Sequence, residues 1–436
     1  MAYNIAEEEF MKGLDVISMM KIRASWGKTG NQAISPFQTL PTVASGNDYP
    51  YLGTGSRQTG YMMGSPGNDN LKWETTAQTN IGLDLGFFNQ RLTITADLYK
   101  KTTTDLLMSA QLPAFTGFTS IISNVGSIEN KGLELQIAAT PVATRDIRWT
   151  SDANISFNRS KVLKMSTDRF NINTNTGGGY NIYGSGFALK QLRIGEPVEQ
   201  MYGWVCLGTW STAEAAEAAK YGRAPGEQKF LDVYLRDNPG AEVRNNITRA
   251  VDGDEIIGNA APKFFYGWNN NISYKEFMLS FLIQGSYGND IFNATRIRAA
   301  RSNNGTFGEL RNRWTVDNQN TDVPGFIPAF ERSQLDLGRD RMNPSDNRWS
   351  RWVEDGSYIR LKNIILNYAL PKSLIGSWPV ERLSFYIAAT NLVTITKYSG
   401  FDPEVSSFNV RAGALGIDLS NYPTARTYSV GLNITF

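Results

Sequence analysis

The last stretch of the chain, Pro423 to Phe436, reads PTARTYSVGLNITF, and no other segment constrains the fold as much. Tyr428, Val430, Leu432, Ile434 and Phe436 are apolar, while Ser429, Gly431, Asn433 and Thr435 between them are small or polar. That is a strand with one greasy and one wet face. The alternation runs to the final residue, where a soluble domain usually frays into polar sequence. Two readings fit. A transmembrane β-strand needs about 9–11 residues of such alternation; an inner strand of a soluble sandwich needs the same pattern.

Composition removes several classes. The hydrophobic fraction is 41% and no run approaches a spanning helix, so a helical membrane protein is excluded. A transmembrane barrel stays open, because only every second residue faces lipid. With 43 basic and 41 acidic residues the net charge is +2, and no polybasic face recommends nucleic acid. The chain has one cysteine and no histidine, which removes internal disulfides, the usual zinc sites and His-based acid–base chemistry. There is no phosphate-binding loop and no dinucleotide fingerprint. The expectation is a protein that is not an enzyme and has no resident cofactor.

In chain order, residues 1–18 read as a strand remnant, a turn and a short amphipathic helical segment, with no signal peptide after Met1. Strands are then expected at 19–31, 73–86, 91–104, 129–140, 147–161, 263–274, 277–289, 357–370, 381–396 and at the closing segment, ten in all. In the second, Ile81, Leu83 and Leu85 oppose Asn80, Gly82 and Asp84; in the third, Leu92, Ile94, Ala96 and Leu98 oppose Thr93, Thr95, Asp97 and Tyr99. A hydroxyl cap at Ser211 opens an Ala-rich helix to Lys220.

Connections 87–90, 141–146, 275–276 and 371–380 are short, whereas 31–72, 105–128, 162–262, 290–356 and 397–422 are long. Strict short–long alternation is what strands crossing a bilayer up and down produce, with tight turns on one side and large loops on the other. A soluble meander has no reason for it. Trp73, Tyr99, Trp149, Tyr274, Phe277 and Phe436 lie near strand ends, as interfacial aromatic girdles require.

Several stretches resemble the SusC/RagA family of TonB-dependent outer-membrane transporters. They are KIRASWGKTGNQ at 21–32, LKWETTAQTNIGLDLGF at 71–87, NVGSIENKGLEL at 124–135, IGNAAPKFFYGWNNNISY at 257–274, QGSYGNDIFN at 284–293, WVEDGSYIRLKNIILNYALP at 352–371, SGFDPEVS at 399–406 and the closing RTYSVGLNITF. The resemblance implies an all-β fold, an antiparallel transmembrane β-barrel. The family barrel has about 22 strands closed around a plug, and the resemblance covers its carboxyl-terminal half. Residues 19–436 are then about ten strands of that barrel, with short periplasmic turns, long extracellular loops including 162–262, and no counterpart of the plug. The implied location is the outer membrane of a Gram-negative bacterium, with the carboxyl terminus periplasmic. Implied partners are the missing amino-terminal half with its plug, TonB through that part, a SusD-like surface lipoprotein, the lipid bilayer and an oligosaccharide or peptide ligand. By the same resemblance, Tyr428, Val430, Leu432, Ile434 and Phe436 form an outer-membrane assembly signal.

Two further groups are candidate sites. Tyr202, Trp204, Trp210 and Tyr221 could stack on a sugar or peptide, or else pack the large loop. In the family, the connection before the IGN motif often carries a calcium-loop-like run; here Asp232, Asp252 and Asp254 stand in that region, with the regular ligand spacing broken, so that a solvated loop is the simpler reading than a Ca2+ site. Arg348 to Arg360 reads as a charged rim network, and Cys206 as a packing residue. The functional expectation is import of glycan or peptide oligomers; the alternatives are a passive porin-like barrel and a soluble β-sandwich adhesion or carbohydrate-binding module.

Overall fold

The computed structural model describes every residue except 12, 33–35, 47–48, 51–56, 119, 167–168, 173–188, 240–254, 300–307, 326–347, 377–378 and 405–414. Ten long strands and one short one succeed each other: β1 Ala2–Asn4, β2 Ile17–Asn31, β3 Glu74–Phe87, β4 Leu92–Gln111, β5 Ser120–Ala143, β6 Ile147–Lys164, β7 Phe264–Tyr274, β8 Phe277–Tyr287, β9 Tyr358–Ala369, β10 Arg382–Thr396 and β11 Thr427–Thr435. In the sheet they form, each neighbours the next, which is an up-and-down meander. Among the described residues no helix is long and apolar enough to cross a membrane.

The chain divides into two compact units, Met1–Leu135 with Asn158–Phe170 and Leu192–Val198, and Gln136–Phe157 with Asn171–Gln191 and Glu199–Phe436. In the first unit, the register places Ile22, Leu83 and Ala96 in one row on one face, and Arg23, Gly82 and Asp97 in a row on the other. Arg23 Nε reaches Asp84 Oδ2 at 2.8 Å and its Nη2 reaches Asp97 Oδ2 at 3.0 Å. The guanidinium crosses directly over Gly82, where a Cβ would lie 2.7 Å from it. The glycine is what lets arginine bridge two acids on neighbouring strands.

In the second unit, Tyr428, Val430, Leu432 and Ile434 of β11 pair with Ala389, Ile387, Phe385 and Leu383 of β10. The same face continues through Ile364, Leu366 and Tyr368 of β9 to Phe281, Leu279 and Phe277 of β8. Val430 is 80% exposed, Ile387 60% and Ile395 65%. The opposite face carries Ser384, Tyr386, Asn433, Asn367 and Arg360. The alternation seen in the sequence is therefore real, with the apolar side turned outward and largely exposed, Leu383 and Ala389 being its buried members.

A wall of that kind has no core of its own. The buried cluster lies instead in the connections, where Leu189, Met201, Ala260, Phe292, Ala294, Ile297, Trp352 and Ile417 pack together. A three-stranded ribbon holds it: Asp290–Asn293 pairs antiparallel with Val353–Asp355 and parallel with Ile417–Asp418. Next to this in sequence, Gln200–Gly203 pairs with Glu255–Asn259. The helix expected after Ser211 forms as a 3-10 turn, Thr212–Glu214, running into Ala215–Lys220. The Ser211 backbone N–H donates to Glu214 Oε2 at 3.0 Å.

Two expectations need correction. The segment 105–128 is not a long loop: β4 runs to Gln111 and β5 starts at Ser120. At about 3.4 Å per residue, the 20 residues of β4 span about 68 Å, well past a bilayer. The alternation lapses in that outer part while pairing continues. Asp105 there has φ 59°, and Asn124 Nδ2 donates to its carbonyl at 2.7 Å. Second, Tyr99 is no girdle residue; it lies on the polar face and donates to Asn158 Oδ1 at 2.9 Å. The tight turns do form, with Phe88, Asn89 and Gln90 all at positive φ (53°, 56° and 62°) and Lys275 at 51°.

Candidate functional site: a strap clamped to the polar face of the sheet

Strand β9 is entered through Val353–Asp355, and β10 leaves into residues 397–404. Arg360, the third residue of β9, pairs with Thr394 on β10 and Gln284 on β8, and so points to the polar face. Its Nη2 donates to Asp402 Oδ1 at 2.6 Å and its Nη1 to Glu404 Oε2 at 2.5 Å. Glu404 also accepts from Lys362 Nζ at 3.0 Å, Tyr358 Oη at 2.7 Å and Gln284 Nε2. The remaining guanidinium edge, Nε, donates to Thr394 Oγ1 at 2.9 Å. Charge-assisted, fully satisfied pairs of this kind are the form in which buried charge is tolerated.

The upstream end of the same segment is clamped separately. Ser399 donates its backbone N–H and its hydroxyl to Glu354, at 2.8 and 2.9 Å. Glu354 is held in turn by Arg296 Nη1 at 2.8 Å, and Arg296 also pairs with Glu309 and lies 5.5 Å over the Trp352 ring. Tyr398 Oη donates to Asp418 Oδ2 at 2.6 Å. Residues 399–404 thus form a strap folded back onto the polar face of β8–β10 and fixed at both ends.

Electrostatics follow from these contacts. Burial works to raise the Asp402 carboxyl, but hydrogen bonds from Arg360 and Thr424 outweigh it and hold the group below the usual carboxylate range. Glu404 is likewise held low, because bonds from Tyr358 and Lys362 and the Arg360 charge overcome its burial. Burial and Asp418 push the Tyr398 phenol up. The strap is thus a fixed, charge-paired platform rather than a proton-transfer site.

The aromatic group expected to bind ligand is placed inside the loop packing. Tyr202, Trp204 and Trp210 are buried. Trp204 packs edge-on against Phe230 at 5.7 Å, Phe230 against Trp349 at 5.3 Å, and Trp349 stacks on Trp352 at 6.1 Å. Trp210 faces Tyr221 at 5.7 Å, with Lys229 Nζ 4.6 Å over its ring. Asp232 accepts the Leu235 backbone N–H at 2.9 Å, as the cap of the turn Val233–Asp237. Asp252 and Asp254 lie outside the described residues. Among the described residues, no group of three or more His, Cys, Asp or Glu is placed to hold a metal ion. Burial pushes the Cys206 thiol up to about 11, which keeps it protonated in its packing position.

The family model described as TonB dependent receptor-like, beta-barrel matches residues 14–392. The chain belongs to the TonB-dependent receptor β-barrel family. TonB-dependent receptor P3 of Formosa agariphila is 34% identical over 446 residues, covering 100% of this chain and 41% of that protein. TonB-dependent receptor SusC of Bacteroides thetaiotaomicron is 28% identical over 451 residues, covering 100% and 39%. The RagAB peptide importer in its open-open state superposes with TM-score 0.76 at 27% identity, covering all of this chain and 42% of that one. The chain therefore spans about two fifths of the length of the relatives it matches. These relatives are named as receptors and an importer, not as enzymes.

The stretches by which this TonB-dependent barrel resembles the SusC/RagA type meet at the strap. WVEDGSYIRLKN supplies Glu354, Tyr358, Arg360 and Lys362; SGFDPEVS supplies Ser399, Asp402 and Glu404; QGSYGNDIFN supplies Gln284. The rim network expected from Arg348 to Arg360 is centred on Arg360 and Glu354, and its acidic partners come from the next connection. In sequence the only signal for that was two acids flanking Pro403 and a basic pair, Arg360 and Lys362, within a strand.

Proposed function

We propose that this chain forms part of the wall and extracellular loops of a SusC/RagA-type importer that carries oligomeric nutrients, glycan or peptide, across a Gram-negative outer membrane. The observation that carries this reading is the two-faced sheet. A row of Tyr428, Val430 and Leu432 with Ile387, Phe385 and Leu366 is exposed on one face, while charges and amides line the other. A soluble sandwich would bury that row against a second sheet; lipid is the other solvent that accepts it. An open edge strand is not viable in hydrocarbon, so β1 and β11 close against further strands of the same barrel.

Energy comes from TonB through a plug held within the completed barrel, and a SusD-like lipoprotein covers the long connections, 162–262 among them. The short turns and the carboxyl terminus face the periplasm, and Tyr428 to Phe436 acts as the assembly signal. Two measurements on the protein purified from outer membranes test the reading. It resists carbonate extraction from the membrane fraction, and in planar bilayers it shows no steady ohmic conductance, because a plugged importer is closed at rest. Steady conductance would establish the passive porin instead, and recovery in the soluble fraction the sandwich.

A further inference from the structure

The strap does more than cover the wall, because it presents one aromatic ring over a cavity. Phe401 lies between the two clamps and is 70% exposed, while its neighbour Asp402 is buried. Beneath it is a concavity of about 170 Å³ that Phe401 lines together with Asn391, Thr394, Thr396, Thr424 and Arg426. That is below the ~300 Å³ at which drug-sized sites begin, so the space takes one ring or one side chain. The lining has side-chain hydroxyls, an amide and two guanidiniums, of Arg360 and Arg426; its acid, Asp402, is already taken by Arg360.

Asn391 adds an independent sign. Its backbone is held at φ 53° and its Nδ2 donates to Ala425 O at 3.0 Å, yet its Oδ1 is buried without a hydrogen-bond partner. A buried acceptor left unmet is costly unless something supplies a donor. We propose that Phe401 and this cavity are a cargo subsite for a single neutral sugar ring, whose C–H face lies on Phe401 and whose hydroxyls meet the polar floor around Asn391. β11 pairs with β10 only as far as Thr390, so strand addition of a peptide along 391–396 is the competing mode, and tri-alanine is its probe.

As a cargo subsite it rests on the importer reading, but sugar binding at Phe401 does not. The experiment is therefore a binding measurement that involves no transport: the protein purified from outer membranes is titrated in detergent with maltose, cellobiose and methyl β-D-glucoside, and separately with tri-alanine. At least one sugar is expected to bind, with Phe401→Ala weakening it about tenfold and Phe401→Trp retaining it. Because Phe401 is exposed, unchanged thermal stability of Phe401→Ala is expected and separates lost contact from lost fold. Binding that is unchanged in Phe401→Ala, absence of binding by all three sugars, or tri-alanine binding that depends on Phe401 would each overturn the proposal.

Discussion

Arg360 Nη2 and Asp402 Oδ1 meet at 2.6 Å with only 3% and 4% of their side chains exposed, joining a strand to a strap that lies 42 positions further along the chain. The pair is paired, desolvated and flanked by Glu404. Removing one partner leaves the other charge stranded.

Arg360→Met is accordingly expected to weaken the strap by about 3–5 kcal/mol. Hydrogen exchange should show faster amide exchange at 399–404 in this variant than in the parent protein, with β11 unchanged. Asp402→Asn leaves the arginine with Glu404 and should cost less.

Acid should loosen the same contact. Asp402 and Glu404 have carboxyl groups held below their ordinary values when the strap is docked, so docking is favoured above the free values of about 3.9 and 4.3 and is lost as pH falls through the lowered ones. Strap proteolysis should therefore be flat from pH 8 to about 5 and rise below about 4.

Cys206 should be nearly inert. With its thiol pushed up to about 11 by burial, its thiolate fraction at pH 8 is roughly two orders of magnitude below that of a free cysteine. Iodoacetamide should label the native protein very slowly and the denatured protein fully.

On the closing strand, Gly431 sits under the Tyr386 ring, where a Cβ would come within 2.3 Å of ring carbons. Gly431→Ala should cost about 1–3 kcal/mol by overpacking. The double variant with Tyr386→Ala should recover most of that in thermal unfolding.

The two faces of β11 should respond oppositely to charge. Val430→Arg places a cation on the apolar side and should cost about 2–4 kcal/mol if it sits at bilayer depth. Ser429→Arg, one residue away on the polar side, should leave outer-membrane levels near normal. Phe436→Ser tests the assembly signal, with reduced outer-membrane levels expected.

Alternation in the sequence was enough to locate the wall. Strands such as β3, β4 and β11 keep their apolar row where period two puts it, because lipid on one side and a polar interior on the other favour that pattern, whereas a bulge at Lys362 of β9 moves the row from Ile359 and Leu361 to Ile364, Leu366 and Tyr368. The same rule explains where the reading stopped. Residues 105–111 and 120–128 extend β4 and β5 past the alternating region, and no periodic signal marks them.

The closing segment therefore determined by itself which face of this protein is apolar, and with its relatives' motifs which kind of barrel it builds. Only the tertiary structure decided the rest. Trp204 and Trp210 are apolar in composition whatever they meet, and it is the fold that buries Trp204 against Phe230 and Trp210 against Tyr221. Arg360 could have faced solvent like any strand arginine; the return of residues 399–404 onto β9 gave it Asp402 and Glu404. Such a contact depends on the path of a long connection, and a side chain's partner across that distance leaves no periodic trace in the residues around it.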